Sequence, residues 1–278
     1  MGVGVKVLPR FAKDTTDRNR TSPMAFTGNK FEFRMVGSSI SIAEPNIVLN
    51  TIVADSLAEF ADKLEASTDF EADVKALIRE TYAAHKRIVF SGDNYAAEWE
   101  KEAERRGLLN LKTTPDALPY FISEKNVRLF GRHNIFTAEE MRSRYEILIA
   151  EYSKILHIEA KTMLQIAKRD ILPAMSRYAR DLAEEAERRI RITSQSGFPA
   201  LSHLTKLYDA IDALYAATEK LDARLLKAEA YKDSLQKANY YKNTVLDAME
   251  AVRLAADTGE TLTAADLWPM PTYDELLF

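Results

Sequence analysis

The sequence predicts a mainly α-helical protein with two short strands near its beginning. After residue 43, apolar residues recur at spacings of three and four over long stretches that contain few glycines or prolines, which is typical of amphipathic helices. Before residue 40, apolar residues alternate with other residues at a period of two in two short segments, which predicts strands. The composition changes near residue 136, so we expect two domains, residues 1–136 and 137–278.

The two predicted strands differ in their outer faces. Over residues 2–8, every second position from Val3 to Val7 is valine. In the second strand, apolar residues alternate with charged ones. The charged residues are Lys30, Glu32 and Arg34, and the apolar ones are Phe31, Phe33 and Met35. Side chains two apart on a strand share a face, so the three charges are predicted to point the same way.

Three helices are predicted next, over residues 44–66, 69–88 and 94–106. Pro45 suits the first turn of a helix, the run Ser91-Gly92-Asp93 interrupts the second helix, and Gly107 ends the third. Residues 108–134 contain Pro115, Pro119 and Gly131, and we interpret them as a mixed segment.

Two long helical stripes follow and predict an antiparallel helical hairpin. Thr137 and Glu140 form a capping-box motif at the start of the first helix, in which Pro173 is expected to cause a kink. The turn lies at residues 194–199, and the second stripe contains no glycine or proline from residue 200 to 258. At 1.5 Å per residue each helix would be on the order of 80 Å long. The final LWPMPTYDELLF is predicted to be an extended tail docked in a groove.

Charge and composition exclude several classes of function. The formal net charge of −4 disfavours a partner such as nucleic acid or an anionic membrane. The chain has no cysteine, which excludes disulfides and thiolate chemistry. Apolar runs are shorter than the roughly 20 residues that span a bilayer, and the first residues lack the features of a signal peptide. We therefore expect a soluble, cytoplasmic protein.

The charged strand face has two interpretations. It could be a solvated outer face with an ion pair, or it could be the floor of a Mg²⁺ and phosphate site. A carboxylate such as Glu32 is a hard oxygen ligand for Mg²⁺, and Arg34 can form bidentate hydrogen bonds to phosphate or carboxylate. Arg18 and Arg20, in the loop before the strand, would add positive charge near a transferring phosphoryl group.

The second interpretation is supported by a resemblance to a known family. The segment DRNRTSPMAFTGNKFEFRMVGSS, with EPN following it, resembles the end of the catalytic domain of glutamine synthetase, in its long type III branch. The segments TTPDAL, FTAEE and WPMPTYDELLF are also similar to that branch. The resemblance implies that the two strands come from the end of the catalytic sheet, that residues 1–136 are the C-terminal part of the catalytic domain, and that residues 137–278 form a helical C-terminal domain.

The resemblance also implies roles for four residues. Glu32 matches a ligand of Mg²⁺ (or Mn²⁺) between the ATP phosphates and glutamate, and Arg34 matches the residue that binds glutamate. Arg20 matches the arginine that contacts the ATP phosphate and the γ-glutamyl phosphate. Lys30 matches a phosphate-binding position where shorter relatives carry arginine. Ala25 stands where shorter relatives carry a further arginine.

The implied activity is that of a glutamate–ammonia ligase, which converts ATP, glutamate and ammonia to glutamine, ADP and phosphate. The family's other metal ligands and the residues that deprotonate ammonium lie on earlier strands. We therefore expect this chain to be inactive alone and to act in a homo-oligomer that contains those parts. None of the four histidines has the spacing HExxH or ExxH, so no replacement metal site is predicted. The alternative is a natural non-catalytic assembly or regulatory protein derived from glutamine synthetase, which the length of the hairpin favours.

Overall fold

The chain is mainly helical and divides into two compact units. A computed structural model describes residues 24–26, 31–33, 37, 40–89, 96–194, 197–271 and 275–276, with only the backbone given for 24–26 and 31–33. One unit comprises Met1–Lys112 and Tyr120–Met141, and the other comprises Thr113–Pro119 and Arg142–Phe278. Within the described ranges, no helix combines the length and the apolar character needed to cross a membrane.

Two three-residue strands pair in the first unit. Strand β1 is Met24–Phe26 and strand β2 is Phe31–Phe33, and they pair antiparallel. Strand β2 lies within the second segment predicted as a strand, whereas β1 lies in a stretch for which no strand was predicted. The strand predicted over residues 2–8 lies outside the described residues.

The helices of the first unit follow the three predicted ones closely. Helix α1 spans Ala43–Glu65, and α2 spans Phe70–His85 with a 3₁₀ turn, Lys86–Ile88, at its end. Helix α3 spans Ala97–Arg105. Asp69 caps α2 by accepting a hydrogen bond from the Ala72 amide at 3.1 Å, which satisfies one of the free amides that every helix start exposes.

Residues 108–134, which the sequence analysis interpreted as a mixed segment, contain two short helices. Helix α4 spans Thr114–Phe121 and α5 spans Glu124–Arg132. Pro115 lies in the first turn of α4, where a missing amide hydrogen costs nothing. Pro119 lies near the end of this two-turn helix, so few hydrogen bonds follow it. Both prolines are therefore compatible with so short a helix.

One carboxylate joins the start and the end of the first unit. Asp55 on α1 accepts a hydrogen bond from Arg132 Nη1 at 2.8 Å, and His133 Nε2 lies 2.9 Å from the same oxygen. The hydrogen bond with His133, helped by Arg132, lowers the pKa of Asp55 below its usual value of 3.8. The contact therefore favours the ionised carboxylate in the folded state.

The second unit is built from three helical arms. The first consists of α6 (Ala138–Ile166), a π turn (Ala167–Ile171) and α7 (Leu172–Thr193). The first turn of α6, up to Met141, is assigned to the first unit. The second arm is α8, Pro199–Ala228. The third consists of α9 (Ser234–Tyr240), a π turn (Tyr241–Val245) and α10 (Leu246–Leu262).

The first arm agrees with the prediction in its start and its length. Glu140 accepts a hydrogen bond from the Thr137 amide at 2.8 Å, and Thr137 Oγ1 accepts one from the Glu140 amide at 3.2 Å, so the capping box is confirmed. The helical path continues past Pro173, as predicted. The irregularity is the π turn just before the proline, and Pro173 lies in the first turn of α7.

The prediction of one continuous second helix, and with it the prediction of a two-helix hairpin, is wrong. Helix α8 ends at Ala228 and the chain reverses over residues 229–233. Asp233 then caps α9 by accepting a hydrogen bond from the Gln236 amide at 2.7 Å. The sequence Asp-Ser-Leu-Gln at 233–236 resembles a capping box, and this helix start interrupts the stripe without any glycine or proline.

Helix α8 supplies the centre of the core of this unit. Leu207, Leu214 and Leu221 are fully buried, and Ala228 continues their stripe at the end of the helix. The core cluster includes residues of the other arms, among them Ala160, Leu172, Met175, Val245 and Val252. Leu204, Ile211, Thr218 and Leu225 are also buried, so buried residues recur at spacings of three and four and keep one side of α8 covered along the whole helix.

Charged contacts fix both π turns to their neighbours. Lys168 lies in the first π turn and is 2.9 Å from Glu219 and 3.0 Å from Asp222 on α8. In the second π turn, Lys242 lies 2.6 Å from Asp116, and the Thr244 carbonyl accepts a hydrogen bond from Arg224. A π turn interrupts the regular hydrogen-bond ladder of a helix, so these contacts hold the irregular backbone in place.

The tail predicted to dock in a groove is described in part. Trp268 packs against the core cluster of the second unit, and its indole nitrogen is buried without a hydrogen-bond partner among the described residues. Residues 272–274 and 277–278 lie outside the described residues.

The Asp55 contact should make the stability of the first unit depend on pH. Because the pKa of Asp55 is lowered on folding, its contribution is present above the unfolded value of 3.8 and is lost as pH falls through the lowered folded value. We expect Asp55→Asn to lower the urea midpoint near pH 7 and to have a smaller effect near pH 2.5, which is below the unfolded pKa of 3.8. Trp99 fluorescence in a Trp268→Phe background reports on this unit. Asp62→Asn, on the exposed face of the same helix, is the matched control, and an Asp55→Asn effect of equal size at both pH values would contradict the assignment.

The contact between α7 and α10 should make Gly259 intolerant of a methyl group. A Cβ at position 259 would lie 2.7 Å from Met175 Sδ and 2.6 Å from its Cε, and Met175 is fully buried. Overpacking typically costs about 1–3 kcal/mol, which exceeds the roughly 1 kcal/mol that alanine gains over glycine in a helix. We expect Gly259→Ala to lower the free energy of unfolding in the wild-type protein.

The same substitution should be stabilising when Met175 is shortened. In a Met175→Ala background the clash is removed, so Gly259→Ala should raise the free energy of unfolding by about 0.5–1 kcal/mol. Urea unfolding of the four proteins in this double-mutant cycle measures both values. If Gly259→Ala changed the free energy of unfolding in the same direction in both backgrounds, contact with Met175 would not be the cause of the destabilisation.

Candidate functional site

Of the four residues that the sequence analysis selected, only one lies on a described element. Glu32 is the central residue of β2, whereas Arg20, Lys30 and Arg34 lie outside the described residues. Their predicted roles, and that of Glu32, stay predictions. The described backbone nevertheless fixes which residue is opposite Glu32.

The strand register pairs Glu32 with Ala25. Met24 is opposite Phe33 and Phe26 is opposite Phe31, so the central residues of the two strands face each other. Directly opposite residues of an antiparallel pair are close neighbours on one face. The family resemblance implies that shorter relatives carry an arginine at the position of Ala25. An arginine there would be a cross-strand neighbour of the carboxylate, and an alanine cannot donate to it.

Three of the four histidines make contacts within the protein. His133 contacts Asp55, His157 Nδ1 lies 2.8 Å from the Tyr241 hydroxyl, and His203 Nε2 lies 2.8 Å from the Leu262 carbonyl. Over the part of the chain that the structure describes, no three histidine, aspartate or glutamate side chains are grouped in a way that could hold a metal ion.

A groove of about 400 Å³ lies in the second unit. Residues of α6, the 229–233 connection and α9 line it, together with Tyr241 of the second π turn. We name it the lysine groove, because Lys154, Lys232 and Lys237 all lie on its wall. None of these three lysines forms an ion pair with a described residue, in contrast to Lys168 and Lys242. Glu229 is the acidic residue of the lining.

The hydrogen bond between His157 and Tyr241 is partly shielded from solvent. Tyr241 is 1% exposed, and burial raises the pKa of its phenol. Burial also lowers the pKa of His157, and the positive charge of Lys161 lowers it further; Glu229 raises it, and Lys237 lowers it by a smaller amount. The lining contains three lysines and one glutamate, so the groove carries an excess of positive charge.

A second basic cleft, in the first unit, is explained by its own contacts. Lys86, Arg87, Arg105 and Arg106 line it. The Arg106 guanidinium donates to the carbonyls of Arg87 and Val89 at 3.2 and 3.1 Å and lies 5.3 Å from the Trp99 ring centre. Hydrogen bonds from Arg105 and Arg106 lower the pKa of Glu102 to about 2. Arg106 therefore holds α3 against the turn that follows α2, and Arg105 is paired with Glu102 within α3.

Sequence reasoning did not find the lysine groove. It selected none of His157, Lys154 and Lys237. The signal that could have found the groove is the capping motif at Asp233 and Gln236, because the chain reversal before it brings Lys237 and Tyr241 beside α6.

Comparison with known proteins supports the resemblance along the whole chain. Residues 73–189 match the family described as the glutamine synthetase C-terminal domain. The chain is 39% identical over 287 residues to the type-3 glutamine synthetase of Dictyostelium discoideum, an alignment that covers 100% of this chain and 39% of that protein. It is 40% identical over 272 residues to the glutamine synthetase of Butyrivibrio fibrisolvens, covering 96% of this chain and 39% of the relative. It is 32% identical over 285 residues to the glutamine synthetase of Bacteroides fragilis (strain YCH46), an alignment that covers 99% of this chain and 39% of the relative.

These matches show that the chain is a portion of a protein of the glutamine synthetase family. More particularly, it corresponds to the C-terminal portion of a type-3 glutamine synthetase, which confirms the resemblance stated from the sequence. The chain spans about two fifths of the length of the curated relatives it matches, 39% in each case.

Proposed function

We propose that this chain contributes one wall of the ATP and glutamate site of a glutamine synthetase. The reaction is the ATP-dependent amidation of glutamate. The γ-carboxylate oxygen of glutamate attacks the γ-phosphorus of ATP, so that ADP leaves and an acyl phosphate forms. Ammonia then attacks the carbonyl carbon, phosphate leaves, and glutamine is released. The observation that carries the proposal is the presence of Glu32 at the centre of β2, in a chain similar over its whole length to these enzymes.

In this proposal each of the four selected residues between Arg20 and Arg34 has one role. Glu32 supplies a carboxylate oxygen to Mg²⁺ or Mn²⁺, and a site with one or two carboxylates plus substrate phosphates is what Mg²⁺ commonly uses. The metal ion, when bound, neutralises phosphate charge. Arg34 holds a glutamate carboxylate through bidentate hydrogen bonds. Arg20 stabilises negative charge on the transferring phosphoryl group, and Lys30 is a point charge for phosphate.

The departure at position 25 bears on the phosphate contacts. Ala25 is opposite Glu32 in the register, so the cation that shorter relatives carry there is missing from this strand pair. In this proposal Arg20 and Lys30 therefore carry a larger share of the phosphate binding than their counterparts in shorter relatives.

We also propose that the active form is a cytoplasmic homo-oligomer that includes the catalytic parts found elsewhere in the relatives, and that this chain alone is inactive. The exposed apolar residues of α1 support a larger assembly. Val48, Ile52, Val53 and Leu57 are between 38% and 60% exposed. A row of such residues on one helix is typical of a surface that another part of a protein covers.

A chimeric enzyme tests the catalytic role. In the Dictyostelium discoideum relative, the portion that aligns with this chain is replaced by this chain, and phosphate release that requires both glutamate and ammonia is measured. We expect turnover in the chimera and none from this chain alone. Glu32→Gln should lower turnover by roughly a hundredfold or more, because it removes a metal ligand.

The matched control is Glu44→Gln, which changes an exposed carboxylate in the first turn of α1 and should leave turnover unchanged. Unchanged turnover in the Glu32→Gln chimera would contradict the proposed metal role. A chimera that assembles but shows no turnover even with Glu32 present would favour the alternative, non-catalytic interpretation.

A further inference from the structure

We propose that the lysine groove of the second unit binds a phosphate group, either as inorganic phosphate or as part of a small phosphorylated molecule. The inference rests on the geometry of the groove and does not depend on the proposed function. Its elements are a concave space of about 400 Å³, three lysines without an ion-pair partner among the described residues, and a hydrogen-bonded histidine–tyrosine pair in the lining.

The size of the groove suits a small ligand. Binding sites for small molecules usually occupy about 300–1,000 Å³, and this groove lies at the lower end of that range. Two residues of the lining, Ala150 and Ser153 of α6, have small side chains. Tyr231 adds an aromatic ring to the wall.

The charge of the groove favours an anion with more than one negative charge. The lining contains three lysines and one glutamate. Lysines repel one another when they share a small space, and a bound dianion removes that repulsion. A lysine ammonium binds phosphate as a compact point charge from any direction, so three of them on different elements can surround a phosphate.

The elements that carry these groups come from separate parts of the chain. Lys154 and His157 lie on α6, Lys232 lies in the connection after α8, and Lys237 lies on α9. Tyr241 is the first residue of a π turn, and single π turns inside α-helices are frequent at functional sites. The turn is held by Arg224 and by the contact between Lys242 and Asp116, so the position of the Tyr241 hydroxyl is fixed before any ligand binds.

His157 and Tyr241 provide a reporter for binding. In the free groove, burial and the lysines disfavour the charged form of the imidazole. A bound phosphate would reverse the sign of the local potential and favour imidazolium, which is a second donor toward the anion. The groups that face His157 are Lys161 and Lys154 from α6, Glu229 and Lys232 from the connection, and Lys237 and Tyr241 from the third arm.

The test is a titration of the full chain with sodium phosphate, followed by NMR of the four imidazole side chains at constant ionic strength set with sodium chloride. We expect a saturable shift of the His157 resonance, which His157→Gln identifies, and no comparable shift for His85 or His133. The double variant Lys154→Gln/Lys237→Gln should weaken binding by about tenfold or more, because two charged contacts are lost.

The matched control is Lys206→Gln/Lys220→Gln, which removes two exposed lysines of α8 outside the groove and changes the net charge by the same amount. Affinity that is unchanged in this control and reduced in the groove variant supports the proposal. The absence of a saturable His157 shift, or equal losses in the two double variants, would overturn it. Circular dichroism of each variant checks that the helices are intact.

A second titration separates the two sources of phosphate. If a nucleoside monophosphate binds several-fold more tightly than inorganic phosphate, and Tyr231→Ala removes the difference, the ligand is a phosphorylated molecule whose ring contacts Tyr231. Equal affinity that is insensitive to Tyr231→Ala assigns the groove to free phosphate.

Discussion

The second unit depends on the burial of one apolar stripe along α8. Leu207, Leu214 and Leu221 are inaccessible to solvent, and the other two arms supply the side chains that cover them. Neither neighbouring arm could bury its own apolar face without this central helix, because a single helical stripe needs a partner surface. The π turns follow from the same constraint. Each adds a residue to a helix that must keep facing α8, and Lys168 and Arg224 tie the two turns to α8 itself.

Sequence periodicity located the helices well and their packing less well. It found the capping box at Thr137 and the long first arm, since these are local properties of the chain. Tyr208 and Tyr215 of α8 are seven residues apart, as expected for a buried stripe, but both are about half exposed, whereas the adjacent Leu207 and Leu214 are buried. An amphipathic aromatic residue can lie beside a core as well as in it, so periodicity alone cannot choose between neighbours. The chain reversal before Asp233 was missed because the only signal was a capping residue.

The two candidate sites differ in how far a sequence can reveal them. The segment around Glu32 is a local motif, in which residue types and spacing are enough to suggest metal and phosphate chemistry. The lysine groove has no local motif, since Lys154 and Lys237 are separated by the whole of α7 and α8. It exists only after the third arm folds back along α6. Local chemistry can be read from a strand of a few residues, whereas a site assembled from three elements requires the tertiary fold.

Both candidate sites share one electrostatic property, which argues that each is completed by an anion. From Arg20 to Arg34 the sequence carries three basic residues and one acid, Glu32, and the lysine groove likewise has three lysines and Glu229. The whole chain has a net charge of −4, so acidic residues are numerous enough to pair the three lysines of the groove. Elsewhere acidic residues do pair with cations, as at Lys168 and Arg253. Unpaired like charges at close range destabilise a folded protein. An excess of two positive charges, retained twice in an acidic chain, is the arrangement expected where phosphate or carboxylate ligands supply the missing negative charge.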